Sequence, residues 1–117
     1  MQLSYPSSVN VGQGFYLTVS IFNSGSTTFS GASVNIGSMT VSFTIENATA
    51  CSQQCQSVTW SGGVINVGNL APGSTVLTVG LKAPGSPTQF SGQATLSYVG
   101  ESQPITLPIS IRVSGRP

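Results

Sequence analysis

The chain has no histidine and no aspartate, and Lys82, Arg112, Arg116, Glu46 and Glu101 are its only charged side chains. That is 4% of 117 residues, where an ordinary domain carries about 25%. The shortage excludes whole classes of chemistry. A Ser–His–Asp triad cannot be assembled without its base and its orienting acid. A structural zinc site needs about four ligands, and two cysteines without histidine do not supply them. Glycoside hydrolysis needs two facing carboxylates. Glu46 and Glu101 are the only pair, nothing around either suggests a site, and they read as exposed loop residues. Lys82 sits in no motif that would activate a serine. Three scattered cations cannot neutralise a run of phosphates or hold an anionic lipid surface. The expectation is no enzyme, with no catalytic residue, cofactor or metal, no nucleic acid and no direct membrane insertion.

Other things are missing too. No apolar run approaches the roughly 20 residues that span a bilayer. Residues 1–20 lack a basic start followed by a continuous apolar core, so no secretory signal is legible. The expectation is a single domain over residues 1–117, with its body over about 9–113, excised from a longer surface protein. The lack of histidine and aspartate has a physical corollary. Acid unfolding proceeds largely by protonating native carboxylates and charging buried histidines. A domain with two glutamates and neither Asp nor His should keep its stability nearly constant with pH. That would suit an acidic exterior, such as the surface of a thermoacidophile. A neutral exoprotein with a drifted composition is the other reading.

What is present is a strand-and-turn composition: 14 Gly, 7 Pro, 38% hydrophobic residues, and Ser and Thr at about a quarter of the chain. No stretch holds an apolar period of 3.6, whereas several alternate with a period of two. Phe15, Leu17, Val19 and Ile21 alternate with Tyr16, Thr18, Ser20 and Phe22. Leu77, Val79 and Leu81 alternate with Val76, Thr78 and Gly80. Ala32, Val34 and Ile36 form a further inward face, as do Ala94, Leu96 and Tyr98. Val41, Phe43 and Ile45 are expected to do the same, after a turn at Gly37–Ser38. Leu3–Tyr5 and Val9–Val11 read as one first strand, broken at Pro6 where it switches sheets. Residues 46–56 read as a loop. Ser57–Trp60 and Val64–Val67 read as a hairpin around Ser61–Gly62–Gly63. Ile105, Leu107, Ile109, Ile111 and Val113 share one parity of the last strand. Pro104 and Pro108 share the other, which places an open sheet edge on the side where both donors are missing. The fold expected is an all-β, immunoglobulin-like antiparallel β-sandwich of about seven to nine strands.

Asn69–Leu70–Ala71–Pro72–Gly73 before an alternating strand, Asn23–Ser24–Gly25 after one, and Trp60–Ser61–Gly62 together form a pattern. It resembles that of Ig-like repeat domains in bacterial and archaeal cell-surface and S-layer-associated proteins, including cell-adhesion-related modules. The resemblance spans roughly residues 9–113 and rests on turns and core positions. It implies an extracellular, non-catalytic module: a spacer or repeat of a cell-surface, S-layer or pilus-type protein. Its partners would be neighbouring domains or other surface proteins. The alternative is a carbohydrate-binding accessory module of a secreted hydrolase, with polysaccharide as partner.

Four features remain as candidate sites. Cys51 and Cys55, which depart from the family pattern, suit a local disulfide in an oxidising compartment, against a redox or metal pair. Asn47–Ala48–Thr49 is an N-glycosylation sequon. Trp60 belongs either to the core or, with Tyr5, Tyr16 and Tyr98, to a sugar-stacking surface. Phe22 and Phe29 fall near turns, where exposed rings would mark a ligand or module–module contact.

Overall fold

A computed structural model describes residues 1–100 and 103–115. Glu101 and Arg116 lie outside the described residues. The elements, in order, are β1 (Gln2–Ser4), β2 (Ser8–Asn10), β3 (Gly14–Asn23), β4 (Phe29–Asn35), a 3-10 helix (Gly37–Val41), β5 (Thr44–Cys51), β6 (Cys55–Ser57), β7 (Trp60–Ser61), β8 (Val64–Leu70), β9 (Gly73–Lys82), β10 (Thr88–Ser97) and β11 (Ile105–Ser114). The first sheet runs β1-β3-β9-β5-β6, and the second runs β2-β11-β10-β4-β8-β7. They pack as an all-β, immunoglobulin-like sandwich. Every ladder is antiparallel except the β2–β11 pair.

The period-two stretches bury the faces expected of them. Phe15, Leu17, Val19 and Ile21 of β3 face Leu77, Val79 and Leu81 of β9 across matching register positions, and all are buried. Ala32, Val34, Ile65, Ala94, Leu96, Ile109 and Ile111 close the core from the second sheet. Phe43 sits between Phe15 and Phe90, edge to face with both, at centroid distances of 5.5 and 5.2 Å. Such geometry places ring edges on ring faces and fixes how the sheets meet at this end. The first strand is split as expected: β1 joins the first sheet and β2 the second.

The open edge expected from the proline parity is only partial: β2 pairs with β11 over Arg112–Ser114, and the stretch with Pro108 has no strand on that side. The Arg112 N–H donates to the Ser7 carbonyl and the Ser110 N–H to the Tyr5 hydroxyl, both on the side away from β10. Pro108 shares that parity, so its missing donor removes no bond to β10. All four sheet edges end in short strands: β1, β6 and β2 have three residues each and β7 has two. Short edges leave little template for another chain to pair with.

Several expectations are corrected. Eleven strands, rather than seven to nine, occur among the described residues, because the short edge strands carry too few residues to show a period. The Gly37–Ser38 turn is a 3-10 helix. The Gly37 N–H donates to the Asn35 side chain at 2.8 Å, and the Thr40 hydroxyl donates to the Gly37 carbonyl at 2.7 Å. These local bonds compete with a ladder. They turn Met39 into the core and leave Val41 88% exposed, so Val41, Phe43 and Ile45 do not share a face. Residues 46–56 are not a loop but most of β5 and β6. The inward residues there are Ala48 and Ala50, small and poor in strand propensity, so the alternation is faint. Ser57 belongs to β6 in the first sheet, and only Trp60–Ser61 pairs with Val64–Ile65. The segment between the two stitches the flank. Val58 N–H donates to the Ala48 carbonyl of one sheet, and the Thr59 carbonyl accepts from Asn66 of the other. Ile105 is 40% exposed, and Leu107 and Tyr98 are only half-buried. Ile105 and Leu107 lie opposite the buried Leu96 and Ala94 of β10, on a stretch of β11 that β2 does not cover.

The chain enters and leaves at opposite ends. Gln2 pairs with Ser20, near the Asn23 end of β3, whereas Ser114 lies with Asn10 and Val11 at the Gly12 end. Ten-residue strands at about 3.3 Å per residue exceed the shorter dimensions of a body measuring 48 × 28 × 22 Å, so they run along its long axis.

Candidate functional site

The cysteines are bonded to each other. Cys51 on β5 and Cys55 on β6 are direct cross-strand partners, and their disulfide closes the hairpin at the edge of the first sheet. All three residues of β6 are exposed. The hairpin therefore holds by its ladder and its covalent tie rather than by apolar burial.

Asn47 lies on β5 beside an irregularity in the β5–β9 register between Ile45 and Asn47. It is exposed and pairs across from Gly80 on β9, which in turn pairs with Tyr16 on β3. Its carboxamide lies over Gly80: a Cβ built on that glycine would stand 2.6 Å from Asn47 Oδ1 and 2.8 Å from Nδ2. Tyr16 is 61% exposed on the far side. Together with Glu46 they border a shallow depression of about 210 Å³.

The expectation that a lone tryptophan belongs in the core is met only by half. The register row Ile105–Leu96–Val34–Ile65–Trp60 crosses the second sheet, and its middle three members are buried. Trp60 thus occupies a core-facing position, but on the edge strand, where one side of its ring has no neighbouring strand. It is 37% exposed and walls a depression at the flank with Phe43, Ile45, Thr40 and Thr44. Phe22 is 68% exposed on the outer face of β3. Phe29 is half-buried and stacks on Tyr98 at a centroid distance of 4.4 Å. Tyr5 is taken up by Ser110. These rings therefore do not share one platform: Tyr16 and Phe22 lie at opposite ends of the outer face of β3, Trp60 on the flank, and Phe29 with Tyr98 at the Asn23 end.

One feature had no signal in the sequence. Ser4, Thr18, Thr78, Thr49 and Ser57 fall in one register row across all five strands of the first sheet. The row alternates with the buried one, so it lies on the outer face, and it is uncharged. Each hydroxyl belongs to a different strand, so only the pairing reveals the row.

No group of three or more His, Cys, Asp or Glu residues comes together among the described residues. No described helix is long and apolar enough to cross a membrane.

No protein-family model matches the sequence, and no curated protein matches it. Among solved structures the chain is similar to AvmM, which catalyzes macrocyclization in alchivemycin A biosynthesis. That match has TM-score 0.60 and 11% identity and covers 99% of this chain and 89% of that one. It is also matched with the CooA pilin subunit from enterotoxigenic Escherichia coli, at TM-score 0.42 and 12% identity, over 96% of this chain and 92% of that one. The first likeness is one of fold. The second is too loose to carry an argument.

Proposed function

We propose that this chain is a non-catalytic extracellular structural module, a spacer or repeat of a cell-surface, S-layer or pilus-type protein. The observation that carries the reading is the geometry of the chain ends. Entry and exit lie at opposite ends of the long axis, and the last strand pairs in parallel with β2. Pulling on the two ends would drive β2 and β11 in opposite directions along their shared ladder. The bonds there, including Val11 N–H to the Ser114 carbonyl and Arg112 N–H to the Ser7 carbonyl, both 2.9 Å, would bear load together instead of opening one by one. Modules joined this way transmit tension along a filament or stalk. The disulfide suits an oxidising exterior, and the short sheet edges suit a unit that must not pair laterally with its copies. Its partners in this reading are neighbouring domains or other surface proteins. The carbohydrate-binding alternative would need aromatic rings on one platform, and the scatter of Tyr16, Phe22 and Trp60 does not favour it.

The test is single-molecule force spectroscopy on a tandem of the full chain, pulled from its termini. A single cooperative rupture per module is expected, at a force well above that of the same module pulled through residues 88 and 113. Those two residues face each other at one end of the β10–β11 ladder, where the bonds open in sequence. Equal forces in the two geometries would sink the load-bearing reading.

A further inference from the structure

Of the six asparagines, Asn10, Asn23, Asn35 and Asn66 have glycine two residues on, and Asn69 has alanine. Asn47 alone has a hydroxyl residue there, Thr49, the arrangement that N-linked glycosylation requires. In a chain this rich in serine and threonine, that single match is unremarkable by itself. Its place in the fold adds three independent observations. Asn47 is exposed, and its carboxamide makes no hydrogen bond to another described residue, so Nδ2 is uncommitted. β6 covers β5 only over residues 49–51, so the strand edge beside Asn47 has no neighbouring strand. The carboxamide leans over β9 at its one side-chain-free outward position in this part of the sheet, Gly80. Beyond Gly80 stands the exposed ring of Tyr16. A glycine inside a strand commonly marks close approach of another group. Here that group is the Asn47 carboxamide itself, which fills the space over Gly80, and the shallow depression beside it is bordered by the Tyr16 ring.

We propose that Asn47 is an N-glycosylation site whose first sugar ring lies in the depression beside Gly80, against Tyr16. The donor is a lipid-pyrophosphate-linked oligosaccharide. A bond forms between Nδ2 and the anomeric carbon as the bond from that carbon to the pyrophosphate oxygen breaks. Nδ2 gives up one proton, and the lipid pyrophosphate leaves with the electron pair. The apolar face of the pyranose then covers the ring of Tyr16, while its hydroxyls stay in water. The glycan shields part of the outer face of the first sheet, which carries few charges to keep copies apart. The inference rests on the extracellular reading above. Its failure would leave the force measurement untouched, so the two can be told apart.

The experiment secretes the full chain from a cell whose secretory pathway attaches N-linked oligosaccharides, and reads intact mass and the peptide carrying Asn47. An oligosaccharide on that peptide is expected, absent from Asn47→Gln and from Thr49→Ala and retained in Thr49→Ser. An unmodified chain overturns the proposal. The second arm compares thermal midpoints of the glycosylated chain and Asn47→Gln, each with Tyr16, Tyr16→Phe or Tyr16→Ala. The glycan should raise the midpoint by a few degrees with Tyr or Phe at position 16 and by nothing with Ala, a coupling that a double-mutant cycle isolates. A gain that is the same in all three backgrounds overturns the packing against Tyr16.

Discussion

The Asn23 side chain donates to the Leu70 carbonyl across 47 residues of chain, at 3.0 Å, and so ties the end of β3 in one sheet to the end of β8 in the other. The same Nδ2 donates to the Thr27 carbonyl at 2.8 Å, and Oδ1 accepts from the Gly25 N–H at 3.0 Å. Two turn motifs that lie far apart in sequence, Asn23–Ser24–Gly25 and Asn69–Leu70–Ala71–Pro72–Gly73, thereby meet. Asn23 also pairs with Gly73 across the β3–β9 ladder. Asn23 is only 6% exposed, and each of its polar atoms has a partner, as burial demands.

Replacing Asn23 should therefore be among the most damaging polar substitutions in the chain. Asn23→Ala leaves the Leu70 carbonyl without this donor and lets the 24–28 turn loosen. Lost satisfaction at a buried group costs about 1–3 kcal/mol. Chemical denaturation of the variant should show that loss in the midpoint with an unchanged slope. Asn66→Ala, whose bond to Thr59 is exposed and 3.4 Å long, should change the midpoint far less.

Gly62 and Gly63 form a matched pair for testing the turn between β7 and β8. Both have positive φ, 59° and 80°, which disfavours any residue with a Cβ by about 1–2 kcal/mol. A Cβ at Gly62 would meet open space, whereas one at Gly63 would stand 2.4 Å from the Gly37 Cα and 2.9 Å from its nitrogen. Ile36 also donates to the Gly63 carbonyl at 2.8 Å, so the two backbones cannot part without losing that bond. Gly62→Ala should lower stability by about 1 kcal/mol. Gly63→Ala should lower it by clearly more. Equal losses in urea melts would show that the Gly37–Gly63 contact does not hold this corner.

Reduction of Cys51–Cys55 should loosen an edge and leave the core alone. The loop it closes is short, and the chain-entropy estimate is about 2 kcal/mol. Because β6 buries nothing apolar, the loss should be local. Hydrogen exchange after mild reduction should rise at residues 49–58 and stay slow in β3, β9 and β10. Global loss of protection would mean that the hairpin nucleates the sheet.

Acid should do little to this fold. With two glutamates, no aspartate and no histidine, few protons can distinguish the folded from the unfolded chain, and the slope of stability with pH is set by that difference. The thermal midpoint should stay within a few degrees between neutral pH and about pH 2. A collapse over that range would assign the carboxylates a structural role and end the acid-tolerance reading.

Much of this architecture is local and therefore legible in the residues. Period two places Phe15, Leu17, Val19 and Ile21, or Leu77, Val79 and Leu81, on one face whatever the topology, because successive side chains alternate. The parity of Pro104 and Pro108 marks an open edge for the same reason, since a missing N–H can be spared only on an unpaired side. Composition is equally direct: without His or Asp, whole catalytic mechanisms have no residues to use. The sequence is silent where the outcome depends on what lies across the sheet. Ala48 and Ala50 become strand residues because β9 and β6 hold them, not because alanine favours strands. Val41 is turned outward by two local hydrogen bonds that no alternation announces, Gly37 N–H to the Asn35 side chain and the Thr40 hydroxyl to the Gly37 carbonyl. Trp60 is half-exposed because it occupies a core-facing register position on a strand with only one neighbour. The meeting of Asn47, Gly80 and Tyr16, and of Asn23 with Leu70, exists only once three strands and two sheets are in register. Periodicity fixes which way a side chain points; only the pairing of strands decides what it points at.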